Sequence, residues 1–554
     1  MTMARGQAAR RVRVSVMAAA AAVALAACTV GSPGSSAPAG DPTSGSQLAD
    51  GPNTLRVLAG SEVKDMLPIL AQAQAATGVK VELAYAGTLE GAEQVASGGT
   101  DGKYDAIWFS SNRYLALLPG ADGKTSQSTK VMASPVVLGL RPQVATRLGW
   151  DSTRPTWAQI AAAAGRKEFS YGMTNPAASN SGFSALVGVS TALAGTGDSL
   201  TQAQIATVTP QLRQFFAGQS LTAGSSGYLA DRFAQSASAS SVDGLVNYES
   251  VLLDLSTRAA NPVPLTVVYP QDGVVTADYP LTLLSSAATD KRALYDKLGT
   301  WLRTPEAQRT IMAQTARRPV VPGVPLDPRF GSGVLVEIPF PNQLNVANEL
   351  IAGYLNTIRK PAQTVFVIDT SGSMRGDRIE SLRGALADLA GADTSTAGGF
   401  ARFRDRERVT LILFSTTPGR PQEFLVPAAG RDAVLAQIRD VAQSLRADGG
   451  TAIYDSLESA YSVAAQQVAD APDTFTSVVL MTDGENTDGQ DAAAFRSAYT
   501  ALPDVVRKVP TFVVLFGEGD AAELTEVAKL TGGRIFDARS GDLTSAFKEI
   551  RGYQ

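Results

Sequence analysis

Three segments in the last third of the sequence carry oxygen-bearing side chains at spacings that suit a cation. Asp369, Ser371 and Ser373 alternate in D-T-S-G-S directly after an apolar run, and the intervening glycine lets the loop turn them toward one point. Thr451 and Asp483 follow in two later segments. Carboxylate and hydroxyl oxygens, without sulfur or imidazole, suit Mg²⁺, Mn²⁺ or Ca²⁺, and few carboxylates completed by hydroxyls and water fit octahedral Mg²⁺.

The segments around these residues alternate between strand and helix. The residues before Asp369 form a continuous apolar run, as in a strand that is buried on both faces. Further strands of this kind are predicted over 409–414, 477–482 and 511–516, with helical periodicity between them. This alternation predicts an open, mainly parallel sheet with helices on both sides, and such sheets bind ligands at the carboxyl ends of their strands. Asp369 and Asp483 both follow strands, so we expect them to meet at one edge.

In this arrangement, residues 362–554 resemble a von Willebrand factor type A domain with a metal-ion-dependent adhesion site. The resemblance implies a doubly wound, Rossmann-like α/β fold. It also implies that Ser371, Ser373 and Thr451 coordinate the ion through hydroxyls, while Asp369 and Asp483 contact it directly or through water. An open coordination position would then accept an Asp or Glu carboxylate from a partner protein. The alternative is an ion that only holds the loops together, because ligand type does not separate the two roles.

The start of the chain has the features of an export signal. A basic leader precedes a short apolar stretch and small residues before Cys28, the only cysteine. Residues 25–28 resemble the lipobox of bacterial lipoproteins, especially of the actinobacterial type, in which this cysteine is lipidated. We therefore predict a signal peptide over 1–28, an anchor to the outer face of the cell membrane through Cys28, and a flexible Gly/Ser/Pro/Ala linker over 29–52. An ordinary signal peptide with an incidental cysteine is the alternative, and export by the Sec or the twin-arginine route stays open.

Residues 53–335 alternate between strand and helix again, in a pattern that indicates two compact regions. The segments N-P-A-A-S-N-S-G-F-S-A-L, N-Y-E-S-V-L-L and the run from A-D-Y-P-L to R-R-P-V resemble the two-lobed solute-binding proteins (type 2) of ABC importers, especially receptors for phosphate, sulfate and molybdate. That resemblance implies a cleft that closes by a hinge and binds a small solute or an oxyanion. The residues expected to line it are Ser61, Ser110, Ser179, Ser181 and Tyr248. The alternative for each serine is an ordinary loop or capping role. The alternative for the cleft as a whole is that it has lost its ligand and serves only as a scaffold.

Between the two units, residues 336–361 are predicted to form a connecting helix that packs on one domain. Val346, Leu350, Tyr354 and Ile358 share one helical face, which a flexible tether would lack.

Composition excludes several classes of function. The chain has no histidine, which removes histidine-based catalytic triads and every zinc site that needs imidazole. A net charge of −4 argues against a general nucleic-acid surface. No nucleophile and base can be paired, so we do not expect an enzyme.

Two functional hypotheses follow from these features. The first is a lipid-anchored surface protein that binds a protein partner through a divalent ion, with the solute-binding-like domain presenting the site or sensing a ligand. The second is an extracytoplasmic receptor of an ABC importer, with the metal domain as an accessory.

Overall fold

The computed structural model describes most of the chain after the predicted linker. The described residues are 48–235, 242–258, 262–331, 333–517, 521–539 and 543–553. The predicted signal peptide, Cys28 and nearly all of the linker lie outside them. Among the described helices, none combines the length and the apolar character that a membrane span requires.

A first lobe is built from the beginning and the end of the segment that precedes the connecting helix. Its first part comprises β1 (Thr54–Ala59), α1 (Leu67–Thr77), β2 (Lys80–Tyr85), α2 (Thr88–Ser97), β3 (Ala106–Trp108) and β4 (Thr125–Lys130).

A second lobe is inserted after β4. It comprises β5 (Ser134–Leu140), α3 (Pro142–Leu148), α4 (Trp157–Gly165), β6 (Tyr171–Thr174), α5 (Asn180–Ala194), α6 (Gln202–Ala217), β7 (Gln219–Ala223), α7 (Ser226–Gln235), β8 (Gly244–Tyr248), α8 (Glu249–Thr257), β9 (Thr266–Val268) and β10 (Thr276–Ala277). The chain then returns to the first lobe through β11 (Pro280–Leu284), α9 (Thr289–Leu302) and α10 (Pro305–Thr315).

Each lobe has its own sheet. The strand order is β2-β1-β3-β11-β4 in the first lobe and β10-β5-β8-β6-β7 in the second, where β9 also pairs with β5. Two short connections, from β4 to β5 and from β10 to β11, carry the chain between the two sheets, and the segment after α10 adds a pairing of Ala133 with Arg318. Two lobes joined by such crossings confirm the fold class predicted for this part of the chain.

The connecting helix packs on the second lobe. It consists of α11 (Leu344–Gly353), which continues as one wider turn over Tyr354–Ile358. Tyr354 is buried, and its ring lies 4.9 Å from that of Phe216 in α6. The side chains of Val346 and Leu350, on the face that the sequence predicted to be apolar, are buried as well.

The C-terminal domain is one six-stranded sheet with helices on both faces. Its elements are β12 (Ala362–Asp369), α12 (Asp377–Leu389), α13 (Thr396–Ala401), β13 (Arg408–Phe414), β14 (Gln422–Leu425), α14 (Arg431–Ser444), α15 (Ile453–Asp470), β15 (Phe475–Thr482), α16 (Ala492–Thr500), α17 (Asp504–Arg507), β16 (Thr511–Leu515), α18 (Ala521–Leu530), β17 (Ile535–Asp537) and α19 (Leu543–Arg551).

This sheet has the order β14-β13-β12-β15-β16-β17, and every pairing is parallel except that of β14 with β13. The mainly parallel sheet confirms the predicted fold class. The sequence analysis did not predict β14, because its residues Q-E-F-L are mostly exposed at the sheet edge and lack the apolar run that identified the central strands.

Buried side chains of successive residues in β12 face opposite sides of the sheet, as strand geometry requires. Phe366 and Ile368 pack with α12, α14 and α19, whereas Val365 and Val367 pack with α15. Because β12 is covered on both faces, its second half, Val365–Ile368, is an unbroken apolar run. The polar side chains of the site follow this run at the carboxyl end of the strand.

The C-terminal domain and the second lobe share an apolar contact. Tyr553, after α19, meets Tyr228 of α7 edge to face, with ring centroids 5.0 Å apart. The guanidinium of Arg534 lies 5.1 Å from the centre of the Tyr228 ring and donates to the hydroxyl of Tyr553 at 2.7 Å. Leu229 and Phe233 of the same helix belong to one buried cluster with residues of the C-terminal sheet. The two parts therefore bury side chains against one another.

The contact with the second lobe lies at the amino edge of the C-terminal sheet. Arg359, just before β12, and Arg551, at the end of α19, both pair there with Glu407, just before β13. Asp369 ends β12 at the opposite, carboxyl edge. With a rise of about 3.3 Å per residue, the eight residues of β12 separate the two edges by roughly 25 Å.

Candidate metal centre

The five residues that the sequence analysis selected meet at the carboxyl edge of the C-terminal sheet. Asp369 closes β12, and the next loop holds Ser371 and Ser373. The Ser371 hydroxyl lies 2.9 Å from that of Ser373, which donates to Asp483 Oδ1 at 2.8 Å. Thr451 lies just before α15 and Asp483 just after β15, so three loops contribute.

The three loops are bonded to one another. The amide of Gly372 donates to the carbonyl of Gly449 at 2.9 Å, which ties the first loop to the second. The amide of Thr487 donates to the carbonyl of Thr451 at 2.9 Å, which ties the third loop to the second. Their relative positions are thus fixed by backbone bonds, and not by side chains of the site alone.

Asp369 is the most enclosed member of the site. Its Oδ1 accepts from the amide of Ser371 at 2.8 Å, and its Oδ2 accepts from the hydroxyl of Thr482 at 2.6 Å. Burial raises the pKa of Asp369 above its usual value; hydrogen bonds from Ser371 and Thr482 oppose that effect, whereas the nearby Asp483 carboxylate adds to it. A bound cation would offset both the burial of the charge and the repulsion between the two carboxylates.

The donor set fits a hard divalent ion. It consists of two carboxylates and three hydroxyls, and among the residues that the structure describes there is no group of three or more His, Cys, Asp or Glu side chains that could hold a metal. The backbone also leaves room beside the hydroxyls. A Cβ atom on Gly484 would lie 3.5 Å from Ser373 Oγ and 4.0 Å from Thr451 Oγ1, so a larger residue at that position would occupy the same space.

The site opens to solvent on one side. Asp369, Ser371, Thr451 and Asp483 are buried, whereas Ser373 is exposed. A ligand from outside can therefore approach the hydroxyl edge, while the carboxylates stay behind it.

Arg378 was not foreseen by the sequence analysis, and it belongs to the site. It lies in the first turn of α12, and its Nη1 contacts Asp483 Oδ2 at 2.5 Å. The side chain of Arg378 is about one-third exposed, whereas that of Asp483 is fully buried. Arg378 thus places a fixed positive charge on one of the two carboxylates that would bind a cation. An Arg five residues after the last serine of D-x-S-x-S, near the start of the predicted helix, is the signal that could have identified it.

Thr482 is a second residue that the sequence analysis missed. It is the last residue of β15 and fully buried, and its hydroxyl orients Asp369 from the neighbouring strand. A polar residue at the end of an apolar strand that pairs with β12 is the only local signal of this role.

The residues predicted to line the solute cleft fall into separate groups. Ser179 and Ser181 lie together at the start of α5, where Ser181 Oγ is 2.8 Å from Thr174 Oγ1 and 2.7 Å from Ser226 Oγ. Ser181 is fully buried in this hydroxyl cluster, so its bonds hold β6, α5 and α7 together inside the second lobe. For Ser181, the structure favours the ordinary structural role over a place on the cleft surface.

The other three residues lie nearer the junction of the lobes. Ser110 follows β3 in the first lobe and Tyr248 ends β8 in the second, and both are fully buried. The hydroxyl of Tyr248 accepts from Asn180 Nδ2 at 3.0 Å, and its ring lies 6.0 Å from that of Tyr279 at the crossing to β11. Ser61 is partly exposed, at the start of the turn after β1.

Comparison with known proteins assigns both parts of the chain. Residues 55–314 match the family model described as bacterial extracellular solute-binding protein, and residues 364–549 match the model of the von Willebrand factor type A domain. The chain joins a bacterial solute-binding domain to a von Willebrand factor type A domain. We call the second part the A domain below, and the first part the solute-binding domain.

Inter-alpha-trypsin inhibitor heavy chain H4 from Homo sapiens is one of the relatives of this chain. The two are 35% identical over 133 residues, which are 24% of this chain and 13% of the relative. The chain therefore matches only a small part of that protein.

Two solved structures are similar to part of this chain. The periplasmic binding protein AfuA from Actinobacillus pleuropneumoniae, with fructose-6-phosphate bound, has a TM-score of 0.41 and 13% identity over 55% of this chain and 98% of its own. The sulfate-binding protein SubI from Mycobacterium tuberculosis H37Rv has a TM-score of 0.38 and 21% identity over 49% and 88%, respectively.

The orientation of the A domain follows from its contacts. Its carboxyl edge carries the five candidate ligands, and its amino edge packs against the solute-binding domain. The candidate metal centre therefore lies at the edge opposite the described part of the solute-binding domain.

Proposed function

We propose that the protein is a lipid-anchored cell-surface protein whose A domain binds a protein partner through a divalent cation. Asp369, Ser371, Ser373, Thr451 and Asp483 hold the ion, which is Mg²⁺ or, with the same ligand types, Mn²⁺ or Ca²⁺. When bound, the ion offers a position for an Asp or Glu carboxylate of the partner. The proposed role is binding and not catalysis.

One observation supports this proposal: five oxygen-bearing side chains, exposed to solvent at Ser373, lie at the sheet edge opposite the solute-binding domain. An ion that only stabilised loops would need no such access. The three loops are also tied by backbone hydrogen bonds, so their geometry does not depend on an ion alone. The solute-binding domain then serves as the support that holds the A domain away from the membrane.

The test uses the full chain on beads and a cell-envelope extract, with Mg²⁺ or with EDTA. We expect a partner that is retained with Mg²⁺ and lost with EDTA, and that the Asp369→Asn variant does not retain. Asp377→Asn is the matched control, because Asp377 is an exposed carboxylate in the first turn of α12. The partner, once identified, should lose binding when one acidic side chain is replaced by its amide.

Equal capture with Mg²⁺ and EDTA, or equal capture by the native chain and Asp369→Asn, would refute the adhesive role. Calorimetry separates the two parts of the proposal. If Mg²⁺ or Mn²⁺ binds the native chain but no partner depends on it, the ion has the structural role.

The location is part of the same proposal and has its own test. The match of residues 55–314 to an extracellular family is in keeping with export, whereas the lipid anchor rests on Cys28, outside the described residues. We expect the Cys28→Ser variant to leave the membrane fraction and appear in the soluble extracytoplasmic fraction. Unchanged membrane retention of that variant would contradict the anchor.

A further inference from the structure

The C-terminal turn of the chain, which comprises Arg551 at the end of α19 and the two residues after it, lies beside the carboxyl ends of two parallel strands of the second lobe. In open α/β sheets the ligand crevice lies beyond the carboxyl ends of the parallel strands. In the second lobe, Asn175 directly follows β6 and Gly224 directly follows β7. Both residues contact the turn formed by the last residue of α19 and the two residues after it, Arg551–Tyr553.

Three contacts define this docking. Asn175 Nδ2 donates to the carbonyl of Arg551 at 3.2 Å, and both residues are buried. A Cβ atom on Gly552 would lie 2.8 Å from the Cα of Gly224 and 3.1 Å from the Cβ of Ala178. At this distance no side chain other than hydrogen fits between the turn and the lobe, so the two backbones are in direct contact.

The first lobe reaches the same place. A Cβ atom on Gly87, at the start of α2, would lie 3.0 Å from the carbonyl oxygen of Ala178. Ala178 is thus contacted by the first lobe on one side and by Gly552 on the other. The mouth between the lobes is narrow here, and the C-terminal turn lies at its edge.

The A domain also contacts the first lobe directly. A carboxylate oxygen of Glu93 in α2 accepts from the amide of Ala397, in the first turn of α13, at 2.9 Å. Because the A domain contacts α2 on one lobe and α7 on the other, opening of the hinge would have to break one set of contacts.

The hydroxyls of the second lobe nearest the turn are already bonded to one another. Ser179, Ser181 and Ser226 belong to the buried hydroxyl cluster described above. Ser179 directly follows Ala178, Ser226 lies two residues after Gly224, and Ser181 is hydrogen-bonded to both of these serines. They hold the edge of the lobe in the shape that receives the turn.

We propose that the edge of the cleft formed by Asn175, Ala178 and Gly224 is the docking site of the chain's own C-terminal turn, Arg551–Tyr553, which takes the place of a free solute and holds the two lobes closed. The turn is also held in place by the A domain, because the Arg551 guanidinium pairs with Glu407 inside that domain. This inference does not depend on the proposed role of the metal centre.

Hydrogen–deuterium exchange of the full chain tests the proposal through Gly552→Val. The added side chain cannot fit against Gly224 and Ala178, and the backbone of Gly552 needs no left-handed conformation. Its Cβ atom would also lie 2.9 Å from the carbonyl oxygen of Glu549 in α19, so exchange in α19 is followed alongside that of the lobe. We expect at least about tenfold faster exchange in the peptides around 176–183 and 223–230, because release of the turn removes their cover. The matched control is Gly384→Val, at an exposed helical glycine where an added Cβ atom would have no neighbour within 4 Å.

Exchange in β12 shows whether Gly552→Val leaves the A domain folded. If it does, and both lobe peptides keep the exchange rates of the native chain, the proposal is wrong. Tyr228→Ala, which removes the ring partner of Tyr553, is the second variant and should accelerate the same two peptides. Saturable binding of inorganic sulfate or phosphate to the native chain, with these peptides still protected, would also overturn the proposal, since the cleft would then hold a free solute beside the turn.

Discussion

At the scale of single residues, the candidate metal centre places an opposing charge, that of Arg378, beside the proposed ligands. Asp369 and Asp483 supply the only carboxylates of the proposed donor set, and Arg378 already pairs with Asp483. A guanidinium competes with a cation for the same oxygen and also repels it. Arg378 is therefore expected to weaken metal binding and to hold the Asp483 side chain in place when no ion is bound.

We predict that Arg378→Ala tightens binding of Mg²⁺ or Mn²⁺ by roughly fivefold, because repulsion between partly exposed charges at this range is of order 1 kcal/mol. Isothermal titration calorimetry of the full chain at moderate salt measures the change. Arg375→Ala is the matched control, since Arg375 lies in the same loop but pairs with Asp448, and both of these side chains are well exposed. Weaker binding by Arg378→Ala would show that its hold on Asp483 outweighs the repulsion.

At the scale of elements, Glu407 joins three parts of the A domain. It pairs with Arg359 at the end of the connecting segment and with Arg551 at the end of α19, where Arg551 Nη2 lies 2.7 Å from Glu407 Oε2. All three side chains are buried. Burial alone would raise the pKa of Glu407, but the attraction of Arg551 and Arg359 lowers it below its usual value. The Glu407 carboxylate thus links the segment that enters the A domain to the end of its last helix.

Glu407→Gln should destabilise the A domain by about 3–5 kcal/mol, because it leaves two buried guanidinium groups without their counter-charge. Chemical denaturation followed by circular dichroism measures the loss. Glu423→Gln serves as the control, since Glu423 forms a half-exposed pair with Arg408 on the edge strand β14, and it should cost less than about 1 kcal/mol.

The ion pairs of Glu407 also predict that the stability of the A domain depends on pH. The pKa of Glu407 is lower in the folded state than its value near 4.5 in the unfolded chain. The contribution of Glu407 to folding stability is therefore fully present above pH 4.5 and is lost as the pH falls through the folded pKa. The stability difference between the native chain and Glu407→Gln should therefore be constant at neutral pH and shrink in acid below about pH 4.5. A difference that grew in acid would contradict the lowered pKa.

At the scale of the whole molecule, the two domains share buried contacts, so we expect their stabilities to be linked. Tyr228 packs on Tyr553 and Arg534, and the connecting helix packs on the second lobe through Tyr354. All four tryptophans of the sequence lie in the solute-binding domain, so tryptophan fluorescence reports on that domain alone.

We predict that Mg²⁺, although its proposed site is in the A domain, raises the melting temperature seen by tryptophan fluorescence. An ion at 100 times its dissociation constant adds about 2.7 kcal/mol to the state that binds it, and shared contacts pass part of this to the solute-binding domain. Tyr228→Ala should reduce the Mg²⁺-dependent increase in this melting temperature while leaving the metal affinity unchanged. If the melting temperature of the native chain, followed by tryptophan fluorescence, did not change with Mg²⁺, the two domains would unfold independently.

The sequence by itself determined the two α/β units, the connecting helix and the five metal-ligating candidates. These depend on local patterns, since an apolar run predicts a buried strand, and polar residues directly after it must lie at the sheet edge. Asp369 and Asp483 could be placed together because both follow strands of one parallel sheet.

Only the tertiary structure decided which other side chains enter the site and how the domains meet. Arg378 and Thr482 join the centre because of the angle of α12 and the register of β15 with β12, which no local spacing encodes. Asn175 and Arg551 are 376 residues apart and meet because two folded surfaces fit. The fit of Gly552 against Gly224 and Ala178 likewise depends on the absence of side-chain atoms, which leaves no periodic or chemical signal in the sequence.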